Sequence, residues 1–76
     1  MELNKAVKHS IRNKELVSQV SICSCYNCVR TFSPSEIMDW TDQGRTAICP
    51  LCGLDAVLPG QVDNLQQIHD YWLKSK

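Results

Sequence analysis

A small α+β fold organised by a metal ion is what the sequence predicts, on three observations. The chain has 76 residues, enough for one domain whose apolar core supplies no more than about 3–5 kcal/mol. Two Cys-x-x-Cys pairs, Cys25 with Cys28 and Cys49 with Cys52, stand twenty residues apart. Around them, short β-like runs alternate with two helix-start signals. The expected architecture is a pair of metal knuckles with a short helix between them and an amphipathic helix at the C-terminal end. Its parts are a basic arm or short helix over residues 1–15, a four-cysteine core over 16–60, and a terminal helix over 61–76 packed on that core as part of one domain.

The elements follow in chain order. Leu3, Ala6, Val7 and Ile11 fall at helical spacing, which predicts either a short amphipathic helix or, since no strong cap precedes it, a frayed arm. Residues 16–23, Leu-Val-Ser-Gln-Val-Ser-Ile-Cys, are β-branched and partly alternating, and predict a strand into the first cysteine pair. Ser33-Pro34-Ser35-Glu36 combines an N-cap, a proline suited to the first turn and a glutamate that completes a capping box. It predicts a helix of barely two turns, with Ile37 and Trp40 on one side, Asp39 and Asp42 on the other, and Gly44 as its stop. Arg45–Ile48 and Ala56–Leu58 read as short strands into and out of the second pair, the latter broken by Pro59-Gly60. Asp63-Asn64-Leu65-Gln66 is a second capping-box pattern. Leu65, Ile68, His69 and Trp72 then follow at i, i+3, i+4 and i+7, predicting an amphipathic helix over 64–74.

The cysteines carry the chemistry. Five are present, an odd number, and no secretory signal opens the chain, so a reducing compartment and metal ligation are favoured over a disulfide framework. Two residues between cysteines let a tight turn aim both sulfurs at one ion. The N–H groups of the turn can offset the sulfur charge, Pro50 stiffens the second turn, and Gly53 supplies the positive φ such a turn requires. Cys25, Cys28, Cys49 and Cys52 are therefore the predicted ligands of a single Zn²⁺, with iron second, since four thiolates select a soft or borderline cation. A closed four-sulfur site leaves no position for substrate, so the metal is expected to be structural. Cys23 is left over: a substitute for Cys25, a spare reactive thiol, or simply a small residue at a strand end.

Eight basic and eight acidic side chains give a formal net charge of zero, unlike the basic excess of a non-specific nucleic-acid or membrane-surface binder. The balance is uneven: Lys5, Lys8, Arg12 and Lys14 against Glu2 leave residues 1–14 at +3 and the remainder at −3. No apolar run approaches a membrane span. A soluble, cytoplasmic protein is expected.

The knuckle Cys49-Pro-Leu-Cys52-Gly53 is similar to those of zinc ribbons and rubredoxins. Rubredoxins hold iron and have an aromatic-rich core, whereas this chain has one Phe, two Tyr and two Trp. A longer pattern resembles a family of small, uncharacterised bacterial and phage-borne cytoplasmic proteins. It runs from Cys23-x-Cys25-x-x-Cys28, through Phe32-x-Pro34-x-Glu36-Ile37-x-x-Trp40, to Thr46-Ala47-x-Cys49-Pro50-x-Cys52-Gly53-x-Asp55, with Tyr71-Trp72 near the end. Where that family often has Cys-Gly-Cys, this chain has Cys23-Ser24-Cys25. The resemblance implies the fold and the metal more than a role.

His9 and Asn13, one helical turn apart, resemble the His and Asn of metal-dependent endonucleases, but no second catalytic His is in place. His69 reads as a packed or half-exposed side chain. Asp55 reads as a solvated turn residue, as an acceptor near the metal or as a contact group for a partner. Trp40 and Trp72 read as core anchors whose partial exposure would mark a binding surface. Asp39, Asp42, Asp63 and Asp70 read as solvated surface. With no acid–base pair and no open metal position, an enzyme is the least favoured class. A protein-interaction or regulatory module, with another protein as partner, comes first. A nucleic-acid-binding ribbon using the basic N-terminal segment comes second. The oligomeric state is not written in the sequence.

Overall fold

The computed structural model describes residues 3–74; the side chains of Asn4 and Val7 lie outside the described ones. Helix α1 spans Leu3–His9 and α2 spans Lys14–Ser18. Strands β1 (Cys23–Cys25) and β2 (Arg30–Phe32) follow, then a single 3₁₀ turn over Pro34–Glu36. Strands β3 (Trp40–Thr41), β4 (Thr46–Ala47) and β5 (Val57–Pro59) precede the C-terminal helix α3, Leu65–Lys74. The strands form an antiparallel sheet in the order β2-β1-β5 and a separate β3-β4 hairpin.

The N-terminal segment is the first of the two forms its spacing allowed. Helix α1 buries Ala6, while Ile11, expected on the same face, lies beyond the helix and is exposed.

The strand expected over 16–23 is replaced by α2 and a strand that begins only at Cys23. Neighbouring prolines give the reason. In register, β1 begins opposite Phe32 on one side and Pro59 on the other. Pro34 follows closely on the first side, and Pro59 itself lacks an N–H on the second, so an upstream extension would find few donors. The last bond in this direction runs from the Gly60 N–H to the Ile22 carbonyl, at 2.9 Å. Upstream of it the chain closes one helical turn, with the Val17 N–H on the Asn13 carbonyl at 2.8 Å and Val17 buried.

The helix expected from Ser33 to Gly44 is also corrected. Its capping box is present: the Glu36 carboxylate accepts from the Ser33 N–H at 2.6 Å, and the Ser33 hydroxyl accepts from the Ser35 N–H at 3.3 Å. The chain nonetheless becomes extended at Ile37, with ψ 119°. A helix of two turns does not repay its nucleation without strong packing. The hairpin instead pairs Trp40 with Ala47 and Thr41 with Thr46, and places Ala47 and Thr46 in the interior. Asp42, Gln43 and Gly44, at φ 53°, 61° and 82°, reverse the chain. That Asp-Gln-Gly turn, flanked by Trp, Thr and Thr, was the signal for a hairpin.

The short strands around the second pair and the terminal helix stand where the sequence placed them to within a residue at each end, but β5 runs through Pro59, expected to break it, where Pro59 pairs with Cys23. Helix α3 turns Leu65 and Ile68 inward, where they join Val17, Phe32, Val57 and Leu58 in one core with the buried cysteines. Ser24 ties the segment before α3 to the sheet. Its hydroxyl donates to the Gly60 carbonyl at 2.8 Å and accepts from the Val62 N–H at 3.3 Å. No helix among the described residues is long and apolar enough to cross a membrane.

Candidate metal centre

Each cysteine pair sits on a turn launched by a strand. The first is the connection between β1 and β2. The second follows β4, whose ladder is extended by the Ile48 N–H on the Asp39 carbonyl at 3.1 Å. The two turns share one backbone plan. The Val29 N–H reaches the Cys25 carbonyl at 2.9 Å, and the Gly53 N–H reaches the Cys49 carbonyl at 3.0 Å. Both closing residues lie in the left-handed region, Gly53 at φ 79° as the sequence implied and Val29 at φ 56°. For a β-branched residue this costs on the order of 1–2 kcal/mol, which the surrounding knuckle must offset.

The turns face each other and bring Cys25, Cys28, Cys49 and Cys52 together, all four sulfurs within 4.8 Å of one another. Across the knuckles, Cys25 Sγ is 3.5 Å from Cys52 Sγ, and Cys28 Sγ is 3.8 Å from Cys49 Sγ. A tetrahedron of thiolates with metal–sulfur bonds of about 2.3 Å has edges of about 3.8 Å. The four side chains therefore fit a single four-coordinate metal ion, and the donor set is that of a structural site.

Donors surround the sulfurs. The Asn27 and Cys28 N–H groups point at Cys25, the Leu51 N–H at Cys49 Sγ at 3.4 Å, and the Leu54 N–H at Cys52. The Asn27 side chain crosses from the first knuckle to bond the Cys52 sulfur of the second. Such contacts orient ligands and temper their charge, and the spacing rule that found the cysteines gave no sign of this one. The thiols differ in consequence. Burial pushes Cys25 and Cys28 upward. At Cys52 burial also acts upward, but Asn27, the Leu54 N–H and the neighbouring cysteines outweigh it and bring the thiol down to about 7. A metal ion takes all four as thiolates, so its binding releases protons.

Cys23 is fully buried in β1 and outside the cluster. Burial raises its thiol to about 11, only partly opposed by the Gly60 N–H, so it is protonated and unreactive at neutral pH. Of its three readings, the small strand-end residue is the one the structure supports. Replacing Cys23 with Ala is expected to leave the metal-to-chain ratio unchanged and to cost about 1 kcal/mol of packing. Native mass spectrometry and a denaturation curve check both; a lost metal would return Cys23 to the ligand set.

Tyr26, between the first two ligands, fastens the knuckle to the rest of the chain. Its N–H donates to the Ala56 carbonyl at 3.1 Å, and its hydroxyl bonds Ser10 Oγ at 3.2 Å. Its carbonyl accepts from His69 Nδ1 at 2.7 Å, and its ring meets Trp72 edge-to-face at 5.4 Å. His69 is thus half-buried and bonded. Trp72 and Trp40 are half-buried against the core, the latter under Lys14, whose Nζ lies 5.9 Å from the ring centre. Asp55 is exposed, as are Asp39, Asp42, Asp63 and Asp70.

The endonuclease-like pair does not form a site. His9 is exposed, whereas Asn13 is 1 % exposed and structurally committed. Its amide NH₂ donates to the Val57 carbonyl at 2.7 Å and the His9 carbonyl at 3.0 Å, and its oxygen accepts from the Ala47 N–H at 3.1 Å. One side chain so ties the helical joint to both β5 and β4.

Compared with known proteins, the chain matches no protein-family profile, no curated protein and no solved structure.

Proposed function

We propose that the chain is a structural-zinc module, with ribbon-like knuckles, that docks onto another protein and performs no chemistry of its own. The closed four-sulfur cluster carries this reading: zinc saturated by four thiolates has no open position for substrate, and its contribution is to folding. Zinc stands ahead of iron because it is the usual occupant of such cysteine-only structural sites. A reducing, cytoplasmic setting belongs to the same proposal, since it keeps the thiols available. The second knuckle offers the contact surface. Met38 is 86 % exposed and Leu51 44 %, and both line a shallow depression of about 190 Å³ with Ile48 and Pro50.

The test is affinity capture on the immobilised, zinc-loaded chain beside its Met38→Ser/Leu51→Ser variant, with metal content measured in both. A defined protein retained by the first and lost by the second at equal zinc content is the expected result. Retention of nucleic acid instead, weakening steeply with salt, would establish the alternative of a nucleic-acid-binding ribbon. That alternative has one observation in its favour: the structure brings the N-terminal Arg12 and Lys14 beside Arg45.

A further inference from the structure

Three basic side chains from distant segments line one open cleft. Arg12 comes from the joint between α1 and α2, Lys14 from the first residue of α2, and Arg45 from the β3–β4 turn. With Glu15 and Leu16 they enclose about 240 Å³. The backbone builds the convergence: the Arg12 N–H donates to Thr46 Oγ1 at 2.8 Å, and the Lys14 N–H to the Arg45 carbonyl at 3.0 Å. Arg12 itself sits at φ 50°, a left-handed conformation that persists only where its surroundings impose it. Arg12 Nε meets Asp42 Oδ2 at 3.3 Å, and Arg45 Nη2 donates to Gln43 Oε1 at 2.8 Å. Each contact uses one of the five N–H donors of its guanidinium group. Leu16, 44 % exposed, adds an apolar wall.

We infer that this cleft binds an acidic peptide segment of a partner protein, a carboxylate meeting Arg12 and Arg45 and an adjacent apolar residue resting on Leu16. The inference rests on the protein-docking role proposed above and names the chemistry of the partner. Nucleic acid is the less suited ligand. A polyanion needs an extended basic track, but here Glu15 lines the same cleft, Asp42 touches Arg12, and the whole chain is neutral. A mixed site of this kind accepts one anionic group. Its volume lies below the roughly 300–1,000 Å³ of small-molecule pockets and suits a side chain or two. The planar fork of arginine matches a carboxylate in two-point contact.

The test selects short random peptides displayed on phage against the immobilised, zinc-loaded full chain. Enriched peptides are then measured by fluorescence polarisation on the unchanged chain, on Arg12→Gln/Arg45→Gln and on Met38→Ser/Leu51→Ser. Metal content and amide NMR dispersion verify each variant. If the arginine variant fails that check, Lys14→Gln with a salt titration replaces it. The expected result is a shared Asp or Glu beside a large apolar residue, with affinity falling about tenfold or more in the arginine variant and holding in the knuckle variant. Peptides without acidic enrichment, or indifferent to the arginines, overturn the inference. If those peptides are lost in the knuckle variant, protein docking survives and only the cleft assignment falls. No enrichment also overturns the inference, leaving docking to the capture experiment. A short single-stranded DNA bound more tightly than any peptide, and lost in the arginine variant, reassigns the cleft to nucleic acid.

Discussion

Stripping the metal with a strong chelator is expected to collapse the fold, with loss of the strand signal in circular dichroism and of amide dispersion in NMR, and zinc is expected to restore both. The magnitudes decide the outcome. A core of this size supplies about 3–5 kcal/mol, against apparent binding free energies of about 10–16 kcal/mol for structural zinc in small peptides. The ligands are also part of the interior: Cys25 and Cys49 are buried among Ala47, Ala56 and Val57. Without an ion, the two knuckles lose the bond that joins their four sulfurs and are left with their turn bonds, the Asn27 contact to Cys52 and the attachments of Tyr26 to Ala56, Ser10 and α3. Cys49→Ser should reproduce the effect without a chelator, because three thiolates and a hydroxyl hold zinc far less tightly. An unchanged spectrum after verified metal removal would show that the apolar core suffices alone.

The second large effect is expected at Asn13. Asn13→Ala leaves the Val57 carbonyl and the Ala47 N–H, both at fully buried residues, without their partner. Each buried group so stranded costs about 1–3 kcal/mol, so the loss should be about 3 kcal/mol or more, most of what the core provides. Asn13→Asp should be no better, since a carboxylate brings a second oxygen where the NH₂ now meets two carbonyls. The amide orientation is fixed by these neighbours: two acceptors face the nitrogen and one donor faces the oxygen. Chemical denaturation at constant free zinc measures the effect, with circular dichroism confirming that the starting state is folded. A loss below about 1 kcal/mol would mean that water replaces the side chain.

These two cases mark what local sequence can and cannot reveal. The cysteine pairs were legible because a knuckle needs its ligands at fixed spacing within one turn. Gly53 was legible for the same reason. Helix α3 could be read from the periodicity of Leu65, Ile68 and Trp72, since a single face meets the core. What stayed hidden depends on partners far along the chain. Asn13 bonds residues 34 and 44 positions away, and Asn27 serves a sulfur on the opposite turn. The capping box at Ser33 was read correctly, but a cap governs only how a helix starts, and hairpin pairing decided how far it ran. The alternation at 16–23 is real, yet strand length was set by Pro34 and Pro59 on the neighbours, which no local window includes.

Tyr26 is lodged between two ligands while its ring rests on an indole from α3. Any loosening of the first knuckle must therefore disturb the surroundings of Trp72, converting occupancy of the ion site into an optical signal near the chain's far end. Tryptophan emission is therefore expected to change when an ion is stripped from the cluster, readable without a label.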